Sequence, residues 1–307
     1  MYTKAAQQYD FKVKEDLLNQ LPFLFDHSLT DKSLDELLMQ YYIFHHYGLT
    51  LHQKTKQLQR KNRYFPLNMI DIRNLKQDQE LIARELYQQE LNQTEYFIKQ
   101  ISKYHQLSGQ RVLDIGAGSG GMSFYLTENF HCQTTMLNLS KEQVKLLKRI
   151  ITLKKIAGKA NVVAGNMNAL SSIRLATTKF DLILQNETDM YITSLSNFLA
   201  NIGKLLSADG CYATISWYKT RESQNIKNID RYYFTAMKNL EYFRGELIDQ
   251  NFKIIQEIDL TEYAKPYWYL RNTFQHAKGF VEAEFIGGLE NGSLKYQLII
   301  AKKNGVR

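Results

Sequence analysis

Residues 111–121, RVLDIGAGSGG, constrain the fold more than any other part of the chain. An apolar run that ends in clustered glycines marks a strand turning tightly into a helix. Glycine tolerates the positive φ angles of such a turn and lets a ligand approach the backbone closely. Downstream, short apolar runs at 134–139, 160–165, 180–185 and 211–217 alternate with helical patterns at 140–155 and 194–206. That alternation predicts βαβ units and a parallel sheet, a doubly wound, Rossmann-like α/β fold. A turn is expected at Ala208-Asp209-Gly210, a mostly helical insertion at about 221–248, and two closing strands at 252–260 and 296–303.

The first hundred residues read differently. Leu34, Leu37, Leu38, Tyr41 and Tyr42 follow helical spacing, as do Leu81, Leu86, Tyr87, Leu91 and Phe97, with a loop near Pro66. The expected organisation is a helical N-terminal lid and substrate-binding region over 1–105 and an α/β domain over 106–307. The two cysteines, Cys132 and Cys211, stand far apart, which argues against a disulfide framework or a zinc site and fits a reducing compartment. No apolar stretch is long enough to span a bilayer and the N-terminus lacks a signal-peptide core, so the cytoplasm is the expected location and no membrane partner is expected. The net charge of +8 favours an anionic partner. The basic residues are dispersed and no RNA-binding module is present, so nucleic acid is not the expected partner.

The glycine loop alone leaves two cofactors open. Gly116, Gly118 and Gly121 satisfy the GxGxxG dinucleotide pattern. Asp114, immediately before the glycines, is an expensive residue for the apolar strand of a nicotinamide site and favours S-adenosylmethionine. It is placed to accept from an amino group or to orient the loop. Asn138, ending the second strand, is the candidate ribose contact. Gln143 is a further candidate cofactor contact, although Ser140-x-x-Gln143 reads equally well as a helix capping box. Asn166 and Met167 follow the third strand as candidate adenine contacts, with Asn166 also readable as a turn residue. Gln185 completes the cofactor-binding set.

The segment 185–191 (QNETDMY), with 266–271 (PYWYLR) and 44–48 (FHHYG), is similar to the isoprenyl diphosphate C-methyltransferases, notably those acting on geranyl diphosphate. The similarity runs from about residue 41 to 301 and includes the NLSKEQ and GNM segments. A weaker similarity, confined to NLSKEQ, is to sarcosine-type amine N-methyltransferases. The resemblance implies a class I methyltransferase sheet, S-adenosylmethionine and Mg²⁺ as cofactors, and an isoprenyl diphosphate substrate feeding terpenoid biosynthesis. Gln185 departs from the family, which has Asn there, and the aromatic segment around Tyr232, Tyr233 and Phe234 does not align cleanly.

What the resemblance implies about mechanism is methylation of an alkene carbon, giving a carbocation that then loses a proton. A carboxylate close to the cation stabilises it electrostatically, and Glu187 resembles the family's glutamate in that role. Aromatic faces add cation–π attraction without trapping the cation; Trp217, Tyr232, Tyr233 and Trp268 are candidates. His45, His46, Tyr47, Tyr191, Trp268 and Arg271 are the candidate substrate contacts, with Mg²⁺ held through diphosphate and water rather than by direct protein ligands. The basic run 54–63 could attract an anion or form a solvated helix face. The alternative reading is a small-molecule N- or O-methyltransferase acting on an amine or hydroxyl. Homo-oligomerisation is left open.

Overall fold

In the computed structural model the described residues are 79–304, apart from 119, 176–178 and 274–279. The helical pattern at 34–42, the loop near Pro66, the basic run 54–63 and His45, His46 and Tyr47 lie outside them. The chain is first described at helix α1 (Gln79–Ser102), whose Phe97, Ile98 and Ile101 sit one turn apart on a buried face. The alternation read from the sequence follows: β1 (Arg111–Ile115), α2 (Gly121–Phe130), β2 (Gln133–Asn138), α3 (Lys141–Leu153), β3 (Ala160–Ala164), β4 (Phe180–Asn186), α4 (Leu195–Leu205) and β5 (Leu206–Lys219).

These strands join β6 (Phe252–Asp259) and β7 (Leu294–Lys303) in one seven-stranded sheet, ordered β3-β2-β1-β4-β5-β7-β6. Neighbours from β3 through β5 pair in parallel, as the alternation predicts. The last strand departs from that expectation: β7 runs antiparallel to both β5 and β6. No crossover helix is needed to insert an antiparallel strand, so it can enter between two strands already running alike.

Side chains alternate across the sheet. Val112, Leu182, Leu184, Ala213, Ile215, Leu298 and Ile300 build one apolar layer together with α1. Leu113, Ile183, Tyr212, Tyr218 and Ile299 build the other, against α4. The first layer also receives the first helix after β5 and the helices between β6 and β7, whereas the second helix after β5 packs in the other layer. The insertion forms two helices, α5 (Gln224–Tyr233) and α6 (Leu240–Asp249). The segment between β6 and β7 holds α7 (Thr261–Arg271) and α8 (Phe280–Glu290), which the sequence reading did not separate from the strands.

The turn expected at Ala208-Asp209-Gly210 is a bulge within β5. Leu206 pairs with Phe180 and Cys211 with Leu182, so three extra residues of β5 loop out between adjacent pairings. Arg111 and Asp181 clamp β1 to β4 through a forked pair, Nε to Oδ2 at 2.9 Å and Nη2 to Oδ1 at 2.8 Å. Among the described residues no helix is long and apolar enough to cross a membrane.

Candidate active site

The glycine loop leaves the C-terminal end of β1 at the centre of the sheet. Gly116, Gly118 and Gly120 have φ angles of 76°, 54° and 81°. The third special position is therefore Gly120, not Gly121, which simply opens α2. A Cβ on Gly120 would lie 2.7 Å from Leu147 Cδ2 and 2.8 Å from Phe124 Cε2, so its role is close packing beneath the loop. Among the described residues nothing lies closer than 4.0 Å to a would-be Cβ on Gly118, so none of them fills the outer face of the loop there. The N-terminal turn of α2 adds unpaired backbone N–H groups suited to a carboxylate. This cradle fits S-adenosylmethionine.

The candidate cofactor residues surround the cradle, several of them bonded within it. Ser123 Oγ donates to Asp114 Oδ2 at 2.7 Å, while burial pushes the Asp114 carboxyl up to about 6. Asn138 Nδ2 donates to the Gly118 carbonyl at 3.1 Å, and Asn138 Oδ1 accepts from the Ser140 N–H. Ser140 Oγ accepts from the Gln143 N–H at 3.2 Å, which supplies the N-cap half of the capping box. Asn166 Oδ1 accepts from the Asn168 N–H, a turn-type bond that starts the short 3₁₀ helix Met167–Ser172.

Gln185 lies at the C-terminal end of β4, next to Thr188 and Tyr212. It is fully buried, its Nε2 donating to Thr188 Oγ1 at 3.0 Å and its Oε1 accepting from Tyr212 OH at 2.7 Å. It supports the loop through Thr188, whose own hydroxyl donates to the Ile115 carbonyl at 3.0 Å.

At the tip of β4 the backbone bends sharply: Glu187 has φ 56°, and its N–H donates to the Ile215 carbonyl at 2.8 Å. Holding a non-glycine residue in this region costs about 1 kcal/mol or more, and such residues concentrate at functional sites. Tyr296 OH donates to Glu187 Oε1 at 2.7 Å, and Gln93 Nε2 lies 3.4 Å from the same oxygen. Glu187 keeps accessible surface, yet protein crowds it closely. Desolvation raises its carboxyl above the ordinary range, against opposing pulls from Tyr296, Arg271 and Trp217.

Aromatic rings enclose this carboxylate's surroundings. Trp217 lies 4.1 Å from the Tyr296 ring, 5.1 Å from Phe285 and 5.7 Å from Trp268. Trp268 stacks flat on Phe285 at 3.8 Å. Tyr233 lies 6.4 Å from Phe285 and 4.8 Å from Tyr232, and Tyr191 packs against the same core layer, so the structure brings Trp217, Trp268 and Tyr233 into one cluster with Tyr296, the partner of Glu187. Arg271 lies 4.8 Å over the Trp268 ring and donates from Nε to Glu282 Oε1 at 2.9 Å.

A second carboxyl was not anticipated. Glu90 of α1 accepts from Tyr267 OH at 2.9 Å, and burial raises it to about 8 despite the opposing field of Arg271. Gln93, Tyr296, Phe285 and Glu282 were also missed. Phe285 and Tyr296 lie inside ordinary apolar runs that carry no signal. Glu90 and Gln93 do carry a faint one, the i, i+3 spacing that puts two polar groups on one helical face.

The comparisons agree with this geometry. Residues 106–266, more than half of the chain, match the family described as a methyltransferase domain. A geranyl diphosphate 2-C-methyltransferase of Saccharopolyspora erythraea is 29% identical over 231 residues, covering 73% of this chain and 78% of that protein. A glycine/sarcosine/dimethylglycine N-methyltransferase of Actinopolyspora halophila is 22% identical over 59% of this chain and 33% of its own length. The geranyl diphosphate C-methyltransferase of Streptomyces coelicolor A3(2), solved with Mg²⁺, geranyl diphosphate and S-adenosyl-L-homocysteine, shares the fold at a TM-score of 0.70. It is 20% identical, with 88% of this chain and 98% of that one covered. The glycine cradle, the β3-β2-β1-β4-β5-β7-β6 sheet and the matched residues lead to one conclusion: the chain belongs to the methyltransferase domain family and is an S-adenosylmethionine-dependent methyltransferase.

Proposed function

We propose that the chain is an isoprenyl diphosphate C-methyltransferase. The observation that carries this reading is a carboxylate, Glu187, held on strained backbone beside the glycine loop and bonded by Tyr296, whose ring packs on that of Trp217. When bound, S-adenosylmethionine supplies an electrophilic methyl group to an alkene carbon, leaving positive charge on the neighbouring carbon of the substrate. Glu187 is the negative charge that stabilises that centre, effective because its surroundings are poorly solvated. Trp217, Trp268 and Tyr233 present π faces that attract a cation without bonding to it. The same packing keeps water from capturing the cation as an alcohol.

Arg271 lies next to this cluster and is the described basic residue proposed for the diphosphate; His45, His46 and Tyr47 are proposed to join it. Among the described residues no three His, Cys, Asp or Glu side chains group as a metal site, so Mg²⁺ is proposed to enter with the diphosphate and water.

A second reading has its own observation. Two carboxyls, Glu187 and Glu90, lie near one aromatic cluster, an arrangement that also suits an amine substrate whose nitrogen becomes an ammonium as it takes the methyl group. One experiment separates the two. The protein is incubated with S-adenosylmethionine and Mg²⁺ and, in turn, isopentenyl, dimethylallyl, geranyl and farnesyl diphosphates and sarcosine. Mass spectrometry is expected to show a prenyl product heavier by one methylene, lost on adding a chelator. Methylation of sarcosine alone, or of none by protein that binds S-adenosylmethionine, overturns the prenyl reading.

A further inference from the structure

The hydrogen bonds that reach Glu187 form a chain rather than a pair. Gln93 Nε2 donates to the Tyr296 hydroxyl oxygen, and Tyr296 OH donates in turn to Glu187 Oε1. Donors linked in this way polarise one another, so a hydroxyl that accepts from an amide becomes a better donor to a carboxylate. The Gln93 amide is itself fixed by Asn186, the residue before Glu187, through Nε2 to Oδ1 at 3.2 Å and Asn186 Nδ2 to Gln93 Oε1 at 3.3 Å. Both oxygen and nitrogen of the amide are thus assigned, and its orientation is set by the same β4 tip that carries the carboxylate. These hydrogen bonds to the Glu187 side chain end on Oε1. Three residues earlier on α1, Glu90 takes the Tyr267 hydroxyl, so one helical face meets both β4 and α7.

We propose that Gln93 is a positioning residue for the reaction: through Tyr296 it fixes the Glu187 carboxylate and keeps it ionised, with Oε2 turned to the substrate. This rests on the reading of Glu187 as the carboxylate of the reaction site. It makes α1 a wall of the site and not only a cover for the sheet. The charged or titratable groups acting on Glu187 among the described residues are Tyr296 on β7, Arg271 and Tyr267 on α7 and Glu90 on α1, with the Trp217 indole of β5 beside them. Gln93 carries no charge, so its removal alters the carboxylate through the bonds it makes and leaves the fields of Arg271 and Glu90 in place.

The test is the titration of the Glu187 carboxyl by carbon-13 NMR in protein saturated with S-adenosylhomocysteine, assigned by the signal lost in Glu187→Gln. Gln93→Leu is expected to raise the midpoint by about one pH unit, a tenfold gain in proton affinity. Tyr296→Phe is expected to raise it at least as far, and adding Gln93→Leu to Tyr296→Phe should change it by less than Gln93→Leu does alone, because only the 3.4 Å contact of Gln93 Nε2 with Glu187 Oε1 then remains to be lost. In methylation assays kcat should fall about tenfold in either variant, with KM for S-adenosylmethionine unchanged. A Gln93→Leu protein that retains its melting temperature and shows an unmoved midpoint overturns the proposal. The titration needs no turnover, so a failure of every prenyl diphosphate as substrate would sink the prenyl reading and leave this outcome separately decided.

Discussion

Thr188 occupies the space that a side chain on Gly116 would need: its Cγ2 lies 2.5 Å from the position of a Cβ on that glycine. The tip of β4 is therefore pressed against the first glycine of the cofactor loop, one residue away from Glu187. Gly116→Ala should fail twice, since φ 76° disfavours an L side chain and the methyl collides with Thr188. The expected loss is roughly 2–4 kcal/mol of stability. Calorimetric titration should also show S-adenosylmethionine binding weakened at least tenfold. Pairing it with Thr188→Ser, which removes Cγ2 but keeps the hydroxyl, should recover part of the stability.

Asp114 gives opposite signs in two measurements. Its folded carboxyl titrates near 6, above the ordinary carboxylate value of 3.8, because it is desolvated. The folded protein thus holds this proton more tightly than the unfolded chain does. The stability associated with the group is full below pH 4, is lost as the pH rises from about 4 to 6, and stays lost above that. Asp114→Asn, which still accepts from Ser123, should make cofactor-free protein more stable at pH 7.5 by on the order of 2 kcal/mol, with no difference below pH 4. Urea unfolding at the two pH values checks this. S-adenosylmethionine affinity should nevertheless fall, since the amide carries no charge for the cofactor's amino group.

Glu187→Gln keeps the size of the side chain and removes its charge. Methylation should drop by about 10²–10³-fold in single-turnover assays, with S-adenosylmethionine binding within twofold of the parent.

Arg271 and Glu282 are a different kind of pair, almost wholly enclosed, with side-chain exposures of 9% and 0%. Glu282→Ala removes the carboxylate that faces the Arg271 Nε and should cost about 3–5 kcal/mol. Thermal unfolding measures this directly. Arg271→Met with Glu282→Leu should be less damaging to stability than Glu282→Ala, while still abolishing any binding of diphosphate that Arg271 provides.

How much was legible beforehand varied with the range of the contacts. The cofactor cradle is local: strand, glycines and helix follow one another from Arg111 to Phe130, so spacing alone exposes it. Even there, Gly120 and Gly121 cannot be told apart until Leu147 and Phe124 are seen against the loop. Glu187 was reachable through its neighbours in QNETDMY. Its partners were not, because Gln93 and Tyr296 stand 94 and 109 residues away and meet it only through α1 and an antiparallel strand. Gln185 has partners that spacing does not reveal either, since Tyr212 and Thr188 engage its amide from inside the core. The helices α7 and α8 were hidden because their aromatic content fits strand and helix alike.

The placement of β7 between β5 and β6 has a bearing on the order of assembly. In the sheet β6 touches only β7, so residues 252–259 have no edge to join until residues 294–303 are in place. Tyr296, on that same strand, arrives at Glu187 in the same event. A nascent chain can thus lay down the five parallel strands and the glycine cradle first, and acquire its reaction chamber only as the later strand zips in. The pairing that completes the sheet is also the one that brings Tyr296 to the carboxyl of Glu187, two long-range contacts joined on one strand.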